Sequence, residues 1–149
     1  LVCNAAYIYS RVRFEDGAPE RDRPLAGQSP CLVNAGLFYQ HDDKGISASL
    51  LYNRIGKRIE SVGVPMQNES EDIPDIYEMP RNSLDLTFSK KIGKFVEIKA
   101  GVQDLLNSKV EYKQFVKLTD ENGGKREREQ LIRSYRPGVD INVGVSLKF

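Results

Sequence analysis

The chain has 149 residues, enough for one domain with an ordinary core, and its 22 Lys and Arg nearly balance 21 Asp and Glu, for a formal charge of +1. That balance lacks the basic excess of a nucleic-acid binder, so no nucleic-acid partner is expected. The mean hydropathy of -0.47 is hydrophilic, and no run approaches the roughly 18 apolar residues of a membrane helix, but a barrel strand is apolar on one face only and escapes such averages.

The first stretch, LVCNAAYIYSRVRF, has no basic leader and no cleavage-type end, so it does not read as a signal peptide. It alternates like a strand: Asn4, Ala6, Ile8 and Ser10 fall on one side, Cys3, Ala5, Tyr7 and Tyr9 on the other. A chain that opens inside a strand, without an initiator methionine, is expected to be part of something longer. Period-two patterning outcompetes helical spacing throughout and predicts strands over about 1–14, 31–40, 46–55, 82–89, 95–105 and 139–149.

Each later segment separates into an apolar and a polar list. Val33, Ala35, Leu37 and Tyr39 oppose Asn34, Gly36 and Gln40, with Leu32 and Phe38 breaking the polar side. Ile46, Ala48, Leu50 and Tyr52 oppose Ser47, Ser49, Leu51 and Asn53; Leu84, Leu86 and Phe88 oppose Ser83, Asp85, Thr87 and Ser89. Val96, Ile98, Ala100 and Val102 oppose Glu97, Lys99, Gly101 and Gln103. The last stretch is the cleanest: Val139, Ile141, Val143, Val145, Leu147 and Phe149 against Asp140, Asn142, Gly144, Ser146 and Lys148. Such strands have an apolar medium on one side and water on the other.

The connections alternate in length. HDDKG (41–45) and KKIGK (90–94) are short, each with a glycine for a tight turn. The stretches 15–30, 56–81 and 106–138 are long and carry most of the charge, and they read as solvated loops and as the place for any ligand contact. Short turns on one edge and long loops on the other are the habit of outer-membrane barrels, as are aromatics near strand ends, here Tyr7, Tyr9, Tyr39, Tyr52, Phe88, Phe95 and Phe149.

The final eight residues, Asn142 to Phe149, read polar, any, Gly, any, any, hydrophobic, any, aromatic. This pattern resembles the C-terminal assembly signal of bacterial outer-membrane β-barrels, with Asn142, Gly144, Leu147 and Phe149 as its marks. RPLAGQSPCLVNAGLFYQ (23–40), SASLLYNRIGKRI (47–59), DLTFSKKI (85–92) and GVQDLLN (101–107) together resemble the end of the barrel of TonB-dependent receptors, in the Bacteroidetes manner. Cys31 stands where such sequences often carry an aromatic.

The resemblance implies an all-β fold: about six antiparallel, up-and-down strands that form the C-terminal part of a larger transmembrane barrel, with short periplasmic turns and long extracellular loops. Residues 1–149 would be the C-terminal part, the plug and earlier strands lying upstream. The implied function is TonB-coupled import of a scarce nutrient (a siderophore, cobalamin-like compound, glycan or peptide), with the TonB complex engaged through the missing N-terminal region. Outer-membrane lipid, the barrel-assembly machinery and a surface lipoprotein are the other implied partners, and no cofactor is implied. In this arrangement Cys3 sits near the periplasmic end of its strand and Cys31 near the extracellular start of the next, roughly 25–30 Å apart and too far for a disulfide.

The other reading from the residues is a small soluble all-β module that binds a ligand or carbohydrate. An enzyme is not expected: His41 is the only histidine and sits in a turn beside Asp42 and Asp43, and no Ser-His-Asp order, CxxC, HExxH or phosphate loop is present. Asp16, Glu69, Glu71 and Asp72 lie in the long loops, where a calcium site is conceivable, though no metal is assigned.

Overall fold

A computed structural model describes residues 2–13, 23–64, 66, 72–119 and 124–148. Every regular element among them is a strand, and every pairing is antiparallel. The six segments picked out by alternation become β1 (Val2–Tyr7), β2 (Cys31–His41), β3 (Ile46–Ile55), β6 (Arg81–Ile92), β7 (Val96–Gln103) and β10 (Asp140–Leu147), and they form one sheet in the order β1-β2-β3-β6-β7-β10. Among themselves these strands run up and down as sequence neighbours, the local wiring that two-sided alternation favours.

Register turns the alternation into two surfaces. Across the sheet, Leu37, Leu50, Leu86, Val102 and Ile141 stand in one row, and Tyr39, Ala48, Phe88, Ala100 and Val143 in the next. The polar side carries its own ladder: Ser47 and Ser89 hydroxyls meet at 2.7 Å, Ser49 and Thr87 at 2.5 Å, and the Asn53 amide donates to the Asn34 side chain. Phe38, which interrupts that polar list, covers Gly36, where a Cβ would lie 2.8 Å from its ring.

Both short turns close as expected. Gly45 (φ 58°) and Gly93 (φ 61°) take the left-handed conformation, and the Gly45 N–H donates to the Asp42 carbonyl (3.0 Å). The two turns share one end of the sheet, because the Lys91 N–H donates to the Gly45 carbonyl (2.8 Å).

Three expectations are corrected. The long stretches 56–81 and 106–138 are not simple loops. They hold β4 (Arg58–Ser61), β5 (Ile76–Glu78), β8 (Val110–Thr119) and β9 (Lys125–Tyr135), a second sheet in the order β4-β5-β8-β9. These strands continue the ladder of the first sheet: three residues beyond Ile55↔Arg81 on each strand, pairing resumes at Arg58↔Glu78.

The first strand is shorter than 1–14. Beyond Tyr7 its partner chain reaches Pro30, which has no N–H to give; the Ile8 N–H still donates to the Pro30 carbonyl (2.9 Å), and among the described residues only the bridge Val12↔Arg23 follows. Cys3 pairs with Ala35 and Tyr7 with Cys31, which puts the thiols four positions apart along the sheet, about 13 Å and not 25–30 Å. Both cysteines are nevertheless free.

Between the two sheets on the β7 side, Asp104 (φ 50°) and Asn107 (φ 44°) turn the chain. The Asp104 N–H donates to Asp85 Oδ1 (2.9 Å), the Asn107 N–H to the Asp104 carbonyl (2.7 Å), and Asn107 Oδ1 accepts from the Gly138 N–H (3.1 Å). Asp and Asn suit the left-handed region better than other side chains. Replacing Asn107 with Ala removes both its conformational tolerance and its bond to Gly138, and is expected to cost about 2 kcal/mol in a denaturant titration, whereas Asn107→Gly loses only the bond, about 1 kcal/mol.

Candidate functional site

The described residues bury few apolar side chains. Ile59, Val110 and Tyr112 are the buried ones, and all lie in the second sheet. The chain exposes 10913 Å², against about 7,600 Å² for a compact protein of its mass of 16.8 kDa. The apolar side of the six-stranded sheet is left open: Leu37, Tyr39, Leu86, Phe88, Ile141, Val143, Val145 and Leu147 are all exposed, up to 72% at Ile141 and Val143. Monomeric soluble proteins rarely leave large contiguous apolar patches uncovered.

The patch has a defined height. It runs from Leu84 to Ile92 on β6, nine residues, with its middle row at Phe88 and Val143. The one charge within it on β6, Lys90, reaches to the short-turn end, where Nζ donates to the Lys44 carbonyl (2.9 Å). At the opposite limit come Tyr52, whose hydroxyl donates to Asn82 Oδ1 (2.9 Å), and then Arg54, whose Nη1 lies 3.4 Å from the same oxygen.

The marks of the terminal pattern lie along β10, which is an edge of the sheet and pairs only with β7. Asn142 stands opposite Gly101 on the polar side, where a Cβ on that glycine would come within 2.6 Å of Asn142 Oδ1. Gly144 faces Lys99 on the same side, and Leu147 faces Val96 on the apolar side. These residues share a strand edge without converging on a point; Phe149 lies outside the described residues.

The second sheet holds a polar and aromatic constellation that patterning did not single out. On one face, Lys57 Nζ sits 4.0 Å from the Tyr77 ring centroid and 3.9 Å from that of Phe115, the two rings meeting edge to face at 5.7 Å. Lys113 on this side pairs with Glu129 (2.6 Å) and Glu111 (3.4 Å). Its pKa is raised, chiefly by the hydrogen bond to Glu129. Burial, with Asp75 beside it, raises the Tyr77 phenol above its ordinary value.

The other face carries the row Arg58–Glu78–Tyr112–Arg133. Arg58 grips Glu78 Oε2 through Nε (2.8 Å) and Nη2 (2.6 Å), and the Arg133 guanidinium lies 4.2 Å from the Tyr112 ring centroid and 5.5 Å from that of Tyr135. The run KRERE (125–129) is the signal in the sequence for this sorting, since period two sends Arg126 and Arg128 to the opposite side from Glu127 and Glu129.

Of the long stretches named for ligand contact, 15–30 is described from residue 23, where the Gly27 N–H donates to the Ile59 carbonyl (2.7 Å) and covers the outer edge of β4. His41 ends β2 opposite Ile46. Asp16, Glu69 and Glu71 lie outside the described residues, and Asp72 Oδ1 accepts from the Met66 N–H (2.8 Å). Among the described residues no three His, Cys, Asp or Glu side chains converge as a metal site. No family model, curated protein or solved structure matches the chain.

Proposed function

We propose that the chain forms the C-terminal wall of an outer-membrane β-barrel receptor of the TonB-dependent kind, taking part in the energy-coupled import of a scarce nutrient. The observation that carries this reading is the uncovered apolar face, nine residues high on β6 and backed by a hydrogen-bonded polar face. Nine residues matches the roughly 9–11 that a tilted strand needs to cross a bilayer. A soluble sandwich would cover this surface with a second layer, and the four-stranded sheet instead extends the same ladder.

In this reading the apolar face meets lipid, the Ser, Thr and Asn ladder lines the lumen, and the four-stranded sheet stands clear of the bilayer on the long-loop side. Upstream strands pair with the open edges of β1 and β10, since each unpaired backbone group in hydrocarbon costs several kcal/mol. An upstream plug and the outer loops capture the substrate, and TonB acting on the plug drives its release inward. The wall contributed here supplies the enclosure and the outer surface of that path.

Sedimentation and circular dichroism of the chain with and without detergent test the reading. Association in plain buffer and a dispersed, strand-rich species in detergent are expected. A well-folded monomer in plain buffer would sink it.

A further inference from the structure

The polar side of the six-stranded sheet is uncharged over three of its six strands. The chain as a whole is 29% charged, yet no polar-side position of β1, β2 or β3 holds Asp, Glu, Lys, Arg or His. Charge enters this side from β6 onward, with Asp85 and Lys91 on β6 and Glu97 and Lys99 on β7.

The uncharged part carries amides and one aromatic ring. Asn4, Asn34 and Asn53 stand in one row, and the Asn53 amide donates to Asn34 Oδ1. Among the described residues that bond leaves the Asn34 amide hydrogens and the Asn53 amide oxygen unspent, a planar donor beside a planar acceptor. In the next row toward the short turns, the Phe38 ring leans over Gly36, which is buried. A Cβ on Gly36 would lie 2.8 Å from Phe38 Cε2, 3.1 Å from Cζ and 3.0 Å from Leu51 Cδ2. Phe38 is nonetheless 56% exposed and Leu51 40%. Cover for a glycine accounts for the inner edge of the ring, and the rest of it is open. Successive rows on one side are about 7 Å apart, so the ring and the amide row lie within reach of one small ligand.

We infer that this spot binds one sugar residue of a neutral saccharide, its C–H face on Phe38 and its neighbouring hydroxyls on Asn34 and Asn53. As a substrate class for import, the saccharide rests on the reading above, which turns this side toward the lumen. The chemistry follows from what each side chain offers. A sugar ring has an apolar C–H face that covers apolar surface, and its hydroxyls both give and accept, which a paired amide donor and acceptor match. An anionic ligand would find no cation on β1, β2 or β3 to offset its desolvation. A peptide is held by backbone pairing at a sheet edge, whereas on a sheet face the backbone groups are spent in the ladder.

The test is a ligand-observed NMR titration of the whole chain, dispersed in a zwitterionic detergent free of sugar, with maltohexaose, xylohexaose and mannohexaose. At least one should bind, with saturation transferred most strongly to ring C–H protons. Phe38→Ala should weaken it about 10-fold, the effect of losing about 60 Å² of apolar contact. Phe38→Leu still covers Gly36 but lacks a flat face, and should weaken binding by a similar factor, while Phe38→Tyr should keep it. Asn34→Ala/Asn53→Ala should also weaken it about 10-fold, and Phe115→Ala, in the second sheet, should leave it unchanged. If the dispersed, strand-rich chain binds none of the hexasaccharides, or if Phe38→Ala and Phe38→Leu bind as the native chain does, the inference fails and the membrane reading stands. Tighter binding of tetra-alanine than of any hexasaccharide would mean a peptide site and overturn the inference likewise. A chain that folds as a monomer in plain buffer and there binds sugar through Phe38 overturns the membrane reading and keeps the sugar site.

Discussion

Replacing Val143 with arginine is expected to destabilise the chain folded on phosphatidylcholine vesicles by about 2–4 kcal/mol, while Ser146→Arg on the same strand changes it by less than about 1 kcal/mol. Val143 stands in the middle row of the apolar face and is 72% exposed within the chain itself. If that face meets water, a long charged side chain at so open a position changes stability by no more than about 0.5 kcal/mol. If it meets hydrocarbon, the guanidinium must be desolvated near the bilayer centre, where snorkelling helps least. Ser146 lies one face over, opposite Glu97, and an arginine there remains solvated. Denaturant titration followed by circular dichroism reads the difference, and equal effects at the two positions would mean that both faces see the same solvent.

Ile59→Ala is expected to cost about 3 kcal/mol in the same titration, against less than about 0.5 kcal/mol for Val2→Ala, on the polar side of β1 opposite Gly36. Ile59 is 1% exposed, the largest fully buried side chain among the described residues, whereas Val2 is 60% exposed. Truncation removes apolar contact and leaves a cavity, because β4 is pinned on both sides: Ile59 pairs with Tyr77, and its carbonyl accepts from Gly27. Against a typical net stability of about 5–15 kcal/mol, 3 kcal/mol is a large share. A loss below about 1 kcal/mol would show that the second sheet does not depend on this packing.

The two substitutions probe opposite cases of legibility. Val143 could be placed from the sequence because its strand alternates without a fault between apolar and polar residues; the other five strands of the first sheet alternate well enough to be found, although Leu32 and Phe38 interrupt β2 and the first ladder stops short at Pro30. Gly45 and Gly93 likewise announced the two tight turns. Ile59 was hidden in a stretch of mixed charge, since β4 and β5 have four and three residues, too short for an alternating list to form. In β9 the alternation is there, but it alternates arginine with glutamate, which a search for apolar periodicity passes over.

Asn142, Gly144 and Leu147 show a third case. The spacing of the terminal pattern was readable, but their positions opposite Gly101, Lys99 and Val96 depend on the registration of β10 against β7, a strand reached only after the whole long excursion through β8 and β9. The separation of Cys3 from Cys31 failed for a related reason: Pro30 ends the first ladder early, and the register slides the thiols closer than strand lengths alone imply.

Local alternation and turn chemistry by themselves determined an all-β chain, six two-faced strands and the short-turn end of the sheet, because each depends on residues within a few positions of one another. The tertiary structure alone decided that the long connections rise into a second sheet in register with the first. It also decided that Arg54, Arg58 and Arg133 share a side with the apolar rows while Lys57 and Lys113 take the other. Those outcomes rest on pairings such as Arg58 with Glu78 and Tyr112 with Arg133, across strands far apart in the chain, where register sets the face of every side chain.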